Sequence, residues 1–257
     1  MAKVNGEGKG TVEEKTNEAG KSATADTRGA EAHHHYGLST TQMVCDAYGE
    51  GVERGVLFMR HSARTFDREI HDLLNPLTDH GRGLSQRFGS LLPKDVRLRG
   101  YASPPERCME TAELVLHAHA QGGGQRARVR AVEALGVFYA LDQQKMWKGL
   151  SLAQGLPNYV EQWFADQVPE DAMMPAPLAV KMILRALVGK LRDNTVQGRH
   201  LDICVSHDLS VYTLRHGVGL ESVQGPEVEF LDGLLLFEKD GHLRMRSQHG
   251  SEVAIDL

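Results

Sequence analysis

The ten residues Gly55-Val56-Leu57-Phe58-Met59-Arg60-His61-Ser62-Ala63-Arg64 constrain this chain more than any other stretch. Four apolar residues, rich in β-formers, run without polar alternation straight into Arg-His-x-x-Arg. A short continuous apolar run suits a strand buried on both faces of a parallel sheet, because a half-exposed strand alternates. The polar burst then falls at the strand's carboxyl edge, where open α/β sheets build their ligand sites. One imidazole between two guanidiniums suggests a nucleophile inside an anion clamp. Arg-His pairs are also common on surfaces, so this reading needs partners elsewhere in the chain.

Two later stretches supply them. Arg97 to Ala102 reads as a second strand and ends in Ser103-Pro104-Pro105-Glu106-Arg107, with proline favoured where the next helix starts. That helix continues from Cys108 through Leu116 to Gly122-Gly123-Gly124, a loop lacking the Lys-Ser or Lys-Thr of a phosphate cradle. Leu201 to Val205 reads as another strand and ends in Ser206-His207-Asp208, followed by a helix through Val211 and Leu214. Between the first two strands, Thr78 is the expected N-cap of a helix through Leu84 and Phe88 to Leu92, stopped by Pro93. Arg128 to Val132 forms a third short strand with Glu133 at its end. Gly233 to Phe237 and His242 to Met245 flank Asp240-Gly241, a hairpin-turn signal.

The segment from Gly136 to about Asn194 holds two or three amphipathic helical stretches, such as Ala179 to Leu191, and interrupts the alternation as a helical insertion. Residues 1 to 36 are Gly-, Glu-, Lys-, Thr- and Ala-rich and are expected to form a disordered tail, with the catalytic domain over 37–257. Leu38 to Gly51 is a short helix or lead-in. The expected fold is a three-layer α/β/α sandwich with a mostly parallel central sheet, on which the three polar clusters share one carboxyl edge.

Composition excludes several classes. With a net charge of -5 over 257 residues, the chain is not expected to bind nucleic acid, which is held by clustered Lys and Arg. No run of eighteen or more apolar residues suggests a membrane span, and no secretory signal is visible, so a cytoplasmic protein is expected. Cys45, Cys108 and Cys204 are too widely spaced for a zinc pattern or a disulfide framework. His33-His34-His35 is taken as incidental, and His117 and His119, two apart on a helix, as surface residues.

The three clusters bring two histidines, three arginines and a carboxylate to one site. Arginine's planar fork matches two phosphate oxygens at once. Ser206-His207-Asp208 is not a hydrolase triad, because neighbours on a strand point to opposite faces. Arg60-His61, Pro76-Leu77-Thr78-x-x-Gly81, Ser103-Pro104-x-x-Arg107-x-x-x-Thr111-Ala112 and Ser206-His207, in that order, resemble the histidine phosphatase superfamily, which includes phosphoglycerate mutases and acid phosphatases. The resemblance covers roughly residues 54 to 250. It implies that His61 is the nucleophile of a phosphohistidine, and that Arg60, Arg64, Arg107 and His207 bind the phosphoryl oxygens.

A general acid must protonate the leaving oxygen. Asp208 matches the His-Asp pair of the acid phosphatase branch and is preferred. Glu133, where the mutase-like branch often has a glutamate, stays open. Ser62 replaces the glycine usual after the nucleophile, and Arg64-Thr65-Phe66-Asp67 lacks the asparagine usual in mutases. The expected activity is metal-independent and cofactor-free hydrolysis of a small-molecule phosphomonoester. The alternatives are a cofactor-independent or cofactor-dependent phosphomutase and a non-catalytic phosphate-ester-binding protein. Sugar phosphate, nucleotide, phosphoprotein and inositol phosphate all fit the motif, since the insertion reads the leaving group. Trp147 and Tyr139 are candidates to line that side, and Arg68, Arg82, Arg87, Lys145 and Lys148 are taken as solvated charge that could rim the pocket.

Overall fold

A computed structural model describes residues 35–67, 69–195 and 197–256. The expected tail, apart from His35 and Tyr36, lies outside the described residues, as do His33, His34 and Arg68. Seven strands form one sheet: β1 (Arg54–Arg60), β2 (Arg97–Ala102), β3 (Arg126–Ala131), β4 (His200–Ser206), β5 (Gly233–Lys239), β6 (His242–Ser247) and β7 (Glu252–Ala254). Their order is β3-β2-β4-β1-β5-β6-β7. The first four are mutually parallel, while β5, β6 and β7 run antiparallel as a meander. The sheet is therefore mixed, with its parallel part where the sequence pattern places it.

The continuous apolar run of β1 is explained by its position. It lies between β4 and β5, and its alternating side chains enter two separate cores. Val56 and Phe58 face one, and Leu57 and Met59 face the other. Burying each such side chain contributes roughly 1.5–3 kcal/mol, so both faces of β1 are fixed. One core is covered by α1 (Leu38–Gly49), α2 (Asp79–Leu91) and α3 (Glu106–Gln121). The other is covered by α4 (Gln143–Leu152), α5 (Leu156–Phe164), α6 (Ala176–Leu191) and α7 (Asp208–Gly217). The insertion thus supplies three helices, α4 to α6, to one layer. Asp240 and Gly241 turn β5 into β6 with φ of 54° and 76°, both in the left-handed region that a tight hairpin requires.

Two of the sequence readings are corrected here. His119 is fully buried, and its ring Nε2 lies 3.0 Å from the Val96 carbonyl oxygen. It ties α3 to the start of β2, which a two-residue spacing could not reveal. Tyr139 is also fully buried, with its hydroxyl 2.7 Å from Ser210 Oγ, and belongs to the core rather than to a substrate-facing wall. No described helix is long and apolar enough to cross a membrane.

Candidate active site

The parallel register places the three motif ends side by side. Arg60 stands opposite Ser206, and Ala102 opposite Val205. The chain then leaves the sheet in step, with His61 N–H donating to the Ser206 carbonyl and Ser103 N–H to that of Val205. Two further pieces hold the turn after β1. Thr78 N–H donates to the Ala63 carbonyl, and its Oγ1 caps α2 by accepting from Gly81 N–H at 3.0 Å. A Cβ on Gly81 would overlap the Ala63 carbonyl, so only glycine lets α2 pack this closely. Ser62 is buried and donates to the Gly81 carbonyl at 2.7 Å, while its N–H donates to Thr111 Oγ1. The serine that replaces glycine is therefore an anchor of the loop, and its hydroxyl is already engaged.

His61 is 3% exposed, and its Nδ1 lies 2.8 Å from the Ser62 carbonyl oxygen. A carbonyl can only accept, so Nδ1 carries the proton and Nε2 keeps the lone pair. Arg107, also 3% exposed, donates from Nε to that Nε2 at 3.2 Å. Burial first, then the charges of His207 and Arg107, push the His61 pKa well below its usual value. His207 is lowered as well, by burial and then by Arg107, and its ring sits 5.7 Å from that of His61, edge to face. Its Nε2 is 2.9 Å from Ser103 Oγ. Both imidazoles are thus neutral bases in a cationic pocket.

The arginines are held differently. Arg60 donates to the Val228 carbonyl at 2.7 Å, pairs with Asp208 at 3.0 Å and lies over the Phe230 ring at 4.2 Å. Arg64 and Arg107 share one carboxylate: Asp72 accepts from Arg64 at 2.7 Å and from Arg107 at 3.0 Å, and its backbone carbonyl takes a second Arg107 bond. An anionic group therefore bridges both forks beside the nucleophile. Asp72 was not anticipated from sequence, because the segment Phe66 to Leu74 has neither helix nor strand periodicity.

Among the sequence candidates, a single cavity of about 460 Å³ collects Arg60, His61, Arg64, Arg107, His207 and Asp208. Trp147 also lines it. Glu133 does not; it is exposed and opens a short 3-10 turn (Glu133–Leu135) after β3. Ser206 Oγ donates to the Leu135 carbonyl, away from any triad geometry. Cys108 and Cys204 are buried free thiols and Cys45 is partly exposed. Among the described residues, no group of three or more His, Cys, Asp or Glu is arranged to hold a metal ion.

No protein-family model matches the sequence, and no curated protein does either. Among solved structures, a phosphoglycerate mutase from Bacillus anthracis str. Sterne is similar at 18% identity and a TM-score of 0.49, over 81% of this chain and 95% of its own. An alpha-ribazole phosphatase from Shigella flexneri is similar at 16% and 0.48, over 75% and 95%. A mycobacterial glucosyl-3-phosphoglycerate phosphatase, bound to inorganic phosphate, is similar at 16% and 0.49, over 79% and 96%. At such values the likeness brings neither substrate nor reaction to this chain.

Proposed function

We propose that this protein is a metal-independent phosphatase of the histidine phosphatase superfamily, which hydrolyses a small-molecule phosphomonoester through a phosphohistidine at His61. The observation that carries this reading is the fixed tautomer of His61, whose unprotonated Nε2 lies against the Arg107 guanidinium. A neutral, buried imidazole is a competent nucleophile, and covalent capture divides one hard displacement into two easier ones. The Nε2 lone pair forms the bond to phosphorus while the ester P–O bond breaks toward the leaving oxygen. Asp208, as the general acid, gives that oxygen its proton. Water then attacks the phosphohistidine, returns a proton to Asp208, and the N–P electron pair goes back to Nε2. Arg60, Arg64 and Arg107 stabilise charge on the equatorial oxygens, which is most of the catalytic work in phosphoryl transfer. The three guanidiniums supply the positive charge that a metal ion would otherwise provide.

The test is hydrolysis of p-nitrophenyl phosphate in the presence of a chelator. Turnover is expected to resist the chelator and to fall by at least ~10³-fold in His61→Ala. A radiolabelled phosphoenzyme that survives alkali and is lost in acid should form in the wild type and not in the variant. Turnover that survives the substitution would place the nucleophile elsewhere. Phosphate binding without any turnover would leave a binding protein.

A further inference from the structure

The cavity has two chemically distinct ends. Its strand-edge end carries the histidines, the arginines and Asp208. The rest of its wall is largely apolar and includes Phe66, Trp147, Leu150, Leu156, Tyr159 and Phe230. Outside the strand-edge group, the polar residues that line it are His71, Asp72 and Gln143, and Asp72 is committed to Arg64 and Arg107. Two lysines on α4 would be the natural partners of a second anionic group on a substrate. Lys145 instead pairs with Asp171 outside the cavity, and Lys148 does not line it either. A carboxylate or second phosphate on the leaving group would therefore meet no lysine or arginine among the described residues that line the apolar part of the chamber, which is unfavourable. An uncharged ring would find aromatic and aliphatic faces on several sides. The volume falls in the ~300–1,000 Å³ range of small-molecule sites, large enough for a leaving group of ring size.

We infer that the substrate is the monophosphate ester of an uncharged, largely apolar alcohol of ring size, its organic part held between α4, α5, Phe66 and Phe230. This rests on the phosphatase reading and narrows it: among the described residues, no lysine or arginine outside the strand-edge group lines the chamber, which disfavours phosphoglycerates, inositol polyphosphates and nucleotides. Phe66 and Trp147 are the specificity-determining residues most open to the leaving group. Trp147 is 43% exposed, so its replacement removes wall without removing core.

Naphthylethyl phosphate and glycerol phosphate test this directly, because both leave as alkyl alcohols of comparable acidity and their difference reports leaving-group binding. The naphthylethyl ester should have a kcat/KM higher by at least ~100-fold, and Trp147→Ala should shrink that ratio about tenfold. Trp147→Arg should shift preference toward phosphoglycerate. Equal rates, or a preference for phosphoglycerate in the wild type, would overturn the inference and leave the phosphatase reading intact. The phosphonate analogues of the same two organic groups, titrated by calorimetry, separate binding from turnover. If no ester is hydrolysed but the naphthylethyl phosphonate still binds at least ~10-fold more tightly, the phosphatase reading falls and the assignment of the chamber stands. If the two phosphonates bind equally, the chamber assignment falls.

Discussion

The strand-edge end of the cavity and its helical end differ in how their side chains are held. At the strand edge, His61, Arg107 and His207 are almost wholly buried, and each is fixed by a hydrogen bond to backbone or to a neighbouring polar group. At the helical end, Phe66 and Trp147 stand substantially exposed on a loop and on α4. On the proposed function, charge development tolerates little displacement, which fits a strand-edge group placed at strand termini between two cores. Recognition of an apolar group is non-directional, so the other end can be assembled from helices and a loop. On the proposed reading, the site is rigid where every ester is alike and adaptable where one ester differs from another.

Asp208→Asn should show the largest effect, since Asp208 lines the cavity beside Arg60 as the proposed general acid. Hydrolysis of alkyl phosphates is expected to slow by roughly 10²–10⁴-fold, and that of p-nitrophenyl phosphate far less, because its leaving group needs little protonation. Glu133→Gln should leave both rates nearly unchanged. A selective loss in Glu133→Gln, with equal losses in Asp208→Asn, would reverse the assignment.

A smaller effect is expected at Asp72, whose carboxylate occupies the forks that a phosphoryl group needs. Asp72→Ala should make inorganic phosphate a tighter competitive inhibitor by about tenfold, roughly 1.4 kcal/mol. Weaker inhibition would mean that Asp72 holds the arginines in position rather than competing for them.

A further effect concerns stability. Burial holds the folded-state pKa values of His61 and His207 below 6.5, the value at which they bind protons in the unfolded chain. Over that window the unfolded state binds more protons, so stability is complete above it and falls as pH drops through it. Each histidine contributes up to ~1.4 kcal/mol per pH unit of that decline. Urea midpoints measured above and below the histidine range should show a shallower decline in His61→Asn than in wild type. Parallel declines would show that His61 titrates alike in both states.

Much of the sheet was legible because its signal is local. The run Val56 to Met59 announced a strand with two buried faces, and Asp240-Gly241 announced its hairpin. The Thr78 cap was equally readable, since capping depends on residues three apart. The site was legible in part, as three polar clusters that follow strands. His119 and Tyr139 were misread because burial depends on what packs against a helix, which a spacing rule does not contain. Asp72 and Phe230 gave no signal: Asp72 opens a three-residue 3-10 turn and Phe230 lies in a turn, and their partners Arg107 and Arg60 come from other parts of the chain. Sequence alone therefore determined which side chains end the central strands, because apolar runs and turn residues act over a few positions. Tertiary structure decided which of them meet, that a carboxylate bridges two arginines, and that the far wall is apolar, because those facts depend on strand order and on helices folded over the sheet.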